Sequence, residues 1–154
     1  MPSSTSRVSA GSLILVPAAL DDAGLTFTWR NHEATRSQAH DSRPLTADGH
    51  DQWWRAAVAS PERHLLIAME ADMPVGVLRL DQTGMSAEVS IYLDPAQTGR
   101  GLGREILRAG ILHARQTGID TLVASIKDTN VASQSAFTAA GFVRSNDGWT
   151  CIVG

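Results

Sequence analysis

Residues 86–104, Ser-Ala-Glu-Val-Ser-Ile-Tyr-Leu-Asp-Pro-Ala-Gln-Thr-Gly-Arg-Gly-Leu-Gly-Arg, constrain this chain more than any other stretch. Val89, Ile91 and Leu93 alternate with Glu88, Ser90 and Tyr92, the period of two that a strand with one apolar and one polar face imposes. Asp94-Pro95 ends that strand, and Gly99, Gly101 and Gly103 then permit close backbone approach and positive φ. Leu102, Ile106, Leu107, Gly110, Ile111 and Ala114 recur at helical spacing, so a helix begins inside the glycine run. Its first amides have no partner within the helix and carry partial positive charge, which makes them a site for phosphate oxygens. Arg100 and Arg104 add positive charge at the same place.

Two familiar phosphate loops are excluded. A P-loop requires Lys-Ser/Thr after its last glycine, and neither a lysine nor a hydroxyl residue follows Gly103. A dinucleotide fingerprint requires a third glycine where Ile106 stands. The run instead resembles the acyl-CoA-binding segment of the GNAT N-acetyltransferases, in which a strand, the pattern Arg/Gln-x-x-Gly-x-Gly/Ala and a helix cradle a pyrophosphate. Gly101 and Gly103 take the two glycine positions, while Thr98 stands where Arg or Gln is usual, with Gln97 one place early. A second segment, Asn130-x-x-Ser133-x-x-Ala136-Phe137-x-x-x-Gly141-Phe142, is similar to the family's Asn-x-x-Ala/Ser-x-x-Leu-Tyr-x-x-x-Gly-Phe. The resemblance implies acetyl-CoA as acetyl donor and no metal. By it, Ile91 and Leu93 would meet the cofactor from the strand. Thr98, Gly99, Arg100, Gly101, Leu102, Gly103 and Arg104 would meet it from the loop, and Asn130, Ser133 and Phe137 from the later helix.

Composition bounds the partners. The 154 residues suit one domain with a good core, read as a flexible tail over 1–11 and an N-acetyltransferase domain over 12–154. A formal charge of −3 without a basic cluster argues against nucleic acid, which requires concentrated Lys and Arg. Cys151 is the only cysteine, which excludes an intrachain disulfide and suits a reducing cytoplasm. The apolar run Leu13 to Val16 is too short for a signal-peptide core or a membrane span.

In order, the pattern predicts a strand at Leu13–Val16, a helix after Asp21-Asp22 ending at Trp29-Arg30-Asn31, and a long loop over 32–45. A second helix is predicted from Thr46 to Ser60, then a hairpin over His64–Glu70 and Pro74–Asp81 leading to the central strand. After the helix 101–117 come a strand at Thr121–Ile126, a helix capped by Asn130, and a strand pair at the end. The fold class is α/β (α+β), one domain with a mixed, mostly antiparallel sheet, helices on both faces and the order β-α-α-β-β-β-α-β-α-β-β.

Amide formation from a thioester requires a neutral amine, a donor to the tetrahedral oxygen and a proton for the departing thiolate. The polar row of the central strand offers Glu88 as base and Tyr92, the only tyrosine, as acid. Glu88 equally fits a hydrated strand end or a pair with Arg79. In the resembled family the acid is the tyrosine of the Leu-Tyr pair, a position held here by Phe137. For the acceptor, Trp29-Arg30-Asn31, the following loop, Pro44-Leu45-Thr46, His50, Trp53-Trp54 and Val89–Leu93 resemble the aminosugar N-acetyltransferases of the pseudaminic-acid pathway. That resemblance implies a UDP-linked 4-amino-4,6-dideoxy sugar met by Arg30, His50, Arg79 and Tyr92. The plainer expectation places Trp29 and Trp53 in the core, Arg30 on helix-end carbonyls, and His50 on a partly exposed helix. His32, His40, His64 and His113 are expected at the surface or in loops. Three other functions stay open, a ribosomal-type protein N-terminal acetyltransferase, a non-catalytic acetyl-CoA sensor and a plain interaction domain. Oligomeric state stays open too, a homodimer included.

Overall fold

Strands that are apolar at consecutive positions must be covered on both sides, and the hairpin strands are built that way. In the structure, a computed structural model that describes residues 8–10 and 13–154, β3 (Arg63–Glu70) sends Leu66 and Ala68 to one core and Leu65 and Ile67 to the other. β4 (Met73–Thr83) does likewise with Leu78 and Leu80 against Val77. Helix α4 (Leu102–Gln116) fills the first side through Ile106, Leu107 and Ala109, with Phe137 of α5 (Val131–Ala140) beside it. Trp29 of α1 (Ala23–Asn31) and Trp54 and Ala57 of α3 (Ala47–Ala59) fill the second. Gly110 lets α4 lie close to the sheet, since a Cβ there would sit 2.8 Å from Leu78 Cδ1.

Among the described residues the sheet has eight strands in the order β1-β2-β3-β4-β5-β6-β8-β7. Besides those named, they are β1 (Val8–Ala10), β2 (Leu13–Pro17), β5 (Ser86–Leu93), β6 (Thr121–Ala124), β7 (Val143–Ser145) and β8 (Gly148–Ile152). Only β5 and β6 run parallel; the other neighbours are antiparallel. The expected α/β class, with helices on both faces of a mostly antiparallel sheet, is the class observed. Two elements go beyond the predicted order. Val8–Ala10, placed in the predicted tail, pair with β2 as β1; residues 1–7, 11 and 12 lie outside the described residues. The predicted loop 32–45 contains α2 (Glu33–Arg36), started by His32 Nδ1 accepting from the Ala34 N–H at 3.2 Å. Asn31 Oδ1 accepts from the Leu45 N–H at 2.8 Å and closes the loop at its base. No helix among the described residues is long and apolar enough to cross a membrane.

His64 and His113, expected at the surface or in loops, join β3 to α4. Gln82 Nε2 donates to Gly84 O, so its Oε1 accepts from His64 Nε2 at 2.7 Å, and His64 Nδ1 accepts from His113 Nε2 at 2.9 Å. Burial first, and the neighbouring His64 second, push His113 down to about 4 from 6.5. The unfolded chain therefore takes up a proton at this residue before the folded one does. Its stabilising effect is complete above the unfolded pKa and is lost as pH falls from about 6.5 towards 4. Urea unfolding across that range is expected to show a smaller loss of stability for His113→Gln than for the wild type; equal losses would show that another group carries the acid sensitivity.

Candidate active site

The site arises from a mismatch in strand pairing. β5 pairs with β4 along its whole length, from Thr83↔Ser86 to Gly76↔Leu93. It pairs with β6 only at Ser86↔Thr121, Ala87↔Leu122 and Glu88↔Val123. From Val89 to Leu93 the backbone of β5 has no strand on that side, and a cleft of about 1290 Å³ opens along it. Because side chains alternate, the cleft has two halves. Ile91 and Leu93 face the α4–α5 side, where they pack on the first core, and Ser90 and Tyr92 face the α1–α3 side.

On the α4–α5 side, the turn into α4 is made by Gly99 at φ 80° and Gly101 at φ 76°, in the left-handed region that favours glycine. Gly101 is the N-cap and offers no side chain, so the amides of the first turn of α4 have no side-chain cap, and Gly99, Gly101, Leu102 and Gly103 form this part of the cleft wall. Gly103 lies against α5, with a Cβ there only 3.4 Å from Ala136 Cβ. Thr98 and Arg104 line this half too. Ser133 and Phe137 line it from α5, and Phe137 is buried edge-on against Phe142 at 4.9 Å. Asn130 also lines it, but its Oδ1 accepts from the Ser133 N–H at 3.1 Å, so the side chain caps α5. Arg100 is the exception. Its guanidinium is held by Gln97 Oε1 and, at 2.8 Å, by Glu70 Oε1 at the end of β3, and it does not line the cleft.

On the α1–α3 side the structure brings together Arg30, Arg79, Trp53, Ser90 and Tyr92. Arg79 Nη2 donates to Ser90 Oγ at 3.3 Å, and its guanidinium lies 5.1 Å from the centroid of the Trp53 ring. Burial pushes the Tyr92 phenol well above its ordinary range, against smaller opposing effects of Thr26, Arg30 and Arg79, so it holds its proton. Two predicted residues are elsewhere. His50 is 7% exposed, packed between Phe27 and Trp54 with its Nε2 3.2 Å from Thr26 Oγ1, and it does not reach the cleft. Burial lowers its pKa, which keeps a ring in that position neutral. Glu88 is exposed and outside the cleft lining, because the cleft begins where pairing with β6 stops, one residue later.

The plain reading of the tryptophans holds for Trp29, 4% exposed in the second core, although it also touches the cleft. For Trp53 it holds in part: neighbours in a helix point about 100° apart, so Trp54 takes the deeper place while Trp53 is half-buried, packed against the edge of the second core and also lining the cleft. Sequence reasoning missed the wall formed by Gln38, Ala39, His40 and Asp41. This segment is tied across the cleft where His40 Nε2 donates to Ser125 O at 3.3 Å and Lys127 Nζ donates to Ser37 O at 3.2 Å. The only signal for it was the length of the loop.

Residues 12–143 match the acetyltransferase (GNAT) domain family. The putative phosphinothricin acetyltransferase YwnH of Bacillus subtilis is 30% identical over 116 residues, 71% of this chain and 70% of that protein. The mycothiol acetyltransferase of Thermobispora bispora is 34% identical over 63 residues, 41% of this chain, and the match spans only 20% of that protein's length. Among solved structures, yncA, a putative acetyltransferase from Salmonella typhimurium solved with acetyl-CoA, superposes with a TM-score of 0.75 at 21% identity, over 94% of this chain and 95% of that one. With residues 12–143, most of this chain, matched by the family's domain, this chain belongs to the GNAT acetyltransferase family.

Proposed function

We propose that this domain transfers an acetyl group from acetyl-CoA to the primary amine of a small molecule, with donor and acceptor entering from opposite sides of β5. The observation that carries this reading is the unpaired edge Val89–Leu93 between free helix amides on one side and polar side chains on the other. Bound acetyl-CoA supplies the activated acetyl group. The first amides of α4 suit its pyrophosphate, and a free β5 amide near Ile91–Leu93 suits the oxygen that becomes charged in the transition state. Tyr92 is the residue of this wall whose O–H can donate a hydrogen bond to the departing thiolate, a role that Phe137 has no hydroxyl to fill; burial makes the phenol a weaker acid, so the proton that ends on sulfur is the one released by the attacking amine. The cleft exceeds the roughly 300–1,000 Å³ of a pocket for one small molecule, so there is room for two substrates.

The finer proposal is that the acceptor is a UDP-linked 4-amino-4,6-dideoxy sugar. The resemblance of the Trp29–Asn31 and Val89–Leu93 segments supports it, with Arg30, Arg79 and Tyr92 at the cleft. A second reading, an amino-acid-like acceptor, is favoured by the relative named for phosphinothricin. Free-thiol release from acetyl-CoA decides between them when that sugar, phosphinothricin and an alanine-starting peptide are offered in parallel; release with the peptide alone would move the enzyme to the protein-modifying class, and no release despite acetyl-CoA binding would favour a sensor. Tyr92→Phe is expected to lower kcat by about 100-fold or more with little change in KM for acetyl-CoA. Glu88 can serve as base only through water; Glu88→Gln with an unchanged pH–rate profile would remove it.

A further inference from the structure

Alkyl amines are protonated at neutral pH and attack only once a proton has left, yet Glu88 lies outside the cleft lining. Among the described residues, four imidazole or carboxylate side chains of the lining can take up that proton: His32, His40, Asp41 and Asp94. Three are engaged elsewhere. His32 Nδ1 accepts from the Ala34 N–H, so in the neutral ring the proton sits on Nε2 and no lone pair is left. Both oxygens of Asp41 are held by Arg43, at 2.9 and 2.7 Å, and these hydrogen bonds keep its carboxyl far below the usual range. Asp94 Oδ1 accepts from the Ala96 N–H at 3.0 Å and caps the turn Pro95–Gln97, and carboxylates ordinarily hold a proton weakly at neutral pH. We propose that His40 is the base of this cleft, its Nδ1 taking a proton from the acceptor's ammonium group. The proposal rests on the acetyltransferase reading of the cleft.

One hydrogen bond decides which ring nitrogen is free. A carbonyl oxygen only accepts, so the 3.3 Å contact of His40 Nε2 with Ser125 O places a proton on Nε2 in both charge states of the ring. Nδ1 then carries the lone pair of the neutral ring, and among the described residues it has no hydrogen-bond partner. The same contact fixes where the ring sits. Ser125 follows directly on Ala124, the last residue of β6, and β6 leaves β5 after Glu88↔Val123. His40 is therefore tied down where the split opens, beside the unpaired edge of β5, and it lines the cleft there. Lys127 Nζ, donating to Ser37 O at 3.2 Å, holds the same segment a second time.

The charged groups on the segments that meet here are Lys127, Asp41 paired with Arg43, Asp128 paired with Arg144, and Arg36, which donates to Asn31 O and Ser42 O. Arg30, Arg79 and Arg104 line the same cleft. Each carboxylate of this corner already has an arginine, so the imidazole is its free proton acceptor. In the reaction one ammonium proton passes to Nδ1, the freed electron pair forms the C–N bond with the thioester carbon, and the C–S bond breaks. A second proton of the amine ends on sulfur, the third stays on the amide, and the exposed imidazolium returns its proton to water. One proton is thus released for each acetyl group transferred.

His40→Gln tests this, because the glutamine amide can still donate to Ser125 O but has no lone pair that takes up a proton. With whichever of the three acceptors the wild type turns over, kcat/KM for the amine is expected to fall about 100-fold at pH 7, with KM for acetyl-CoA and the melting temperature unchanged. The pH profiles should also differ in shape. Wild-type kcat/KM levels off once imidazole is neutral, whereas that of the variant goes on rising until the amine loses its proton unaided, so the gap closes at high pH. Added imidazole should restore part of the turnover of His40→Ala. A loss by the same factor at every pH would show that His40 only holds the loop, and turnover like the wild type's at pH 7 would show that another group is the base; either result overturns the proposal. Nitrogen-15 NMR gives a readout apart from activity: the neutral His40 ring is expected as the Nε2–H tautomer, and the Nδ1–H tautomer would overturn the proposal too. A wild type that releases no thiol with any of the three amines overturns the enzyme reading and this base with it, whereas an active wild type matched by His40→Gln overturns the base alone.

Discussion

Gly103→Val is expected to weaken acetyl-CoA binding by about 100-fold while the protein unfolds near its wild-type temperature. Gly103 stands in the first turn of α4, where a Cβ would already be 3.4 Å from Ala136 Cβ and 3.9 Å from Ile91 Cδ1. A valine adds two more methyl groups at the narrow point between α4, α5 and the free edge of β5, so either α5 moves outward or the coenzyme loses its seat. Neither response breaks the main core, because Gly103 borders the cleft and not the sheet interior. Titration of acetyl-CoA by calorimetry, with a melting curve of the same preparation, measures both. Unchanged affinity would mean that the coenzyme does not run between these elements.

Trp54→Ala is expected to cost about 3–5 kcal/mol. Trp54 is fully buried, fills the second core between α1, α3 and the sheet, and donates its indole N–H to Ala19 O at 2.9 Å. The substitution leaves a large cavity and takes from Ala19 O one of its two hydrogen bonds, the other coming from the Asp22 N–H at 3.1 Å. For a chain of this length the melting temperature should fall by roughly 6–20 °C. Trp54→Phe keeps most of the volume and should lie between. The adjacent Trp53→Ala should cost less stability, because that ring is only half-buried at the edge of the second core and lines the cleft; a loss equal to that of Trp54→Ala would show that both rings are structural.

The two tryptophans show where local patterns stop. A pair of adjacent aromatic residues on a helix states that one of them is buried, but which one depends on where the sheet lies. The same limit applies to His50. Its position on α3 was legible, but its side chain turns to Thr26 and Trp54 instead of the cleft, and only the packing of α1 against α3 decides that. Arg100 was legible as a cation in a phosphate loop; its engagement by Glu70, distant in sequence, was not. His64 and His113 looked like surface residues because nothing local relates a strand residue to one on a helix much later in the chain.

The class and all the elements but β1 and α2 were legible in the sequence. Dense apolar strands demanded cover on both faces, the glycine run demanded a strand–loop–helix with free amides, and Asn130 and Gly141 marked both ends of α5, since capping and backbone freedom are local properties. Tertiary structure alone decided that β5 and β6 separate after Glu88, and with that which of the row Glu88, Ser90 and Tyr92 meets the cleft. It also decided that Arg30 and Arg79 line one cleft, Arg79 beside Asp81 and Arg30 with no ion pair to a described carboxylate. The physical reason is that strand divergence and the cancellation of buried charge are both sums over contacts between distant segments, which no periodicity within one segment encodes.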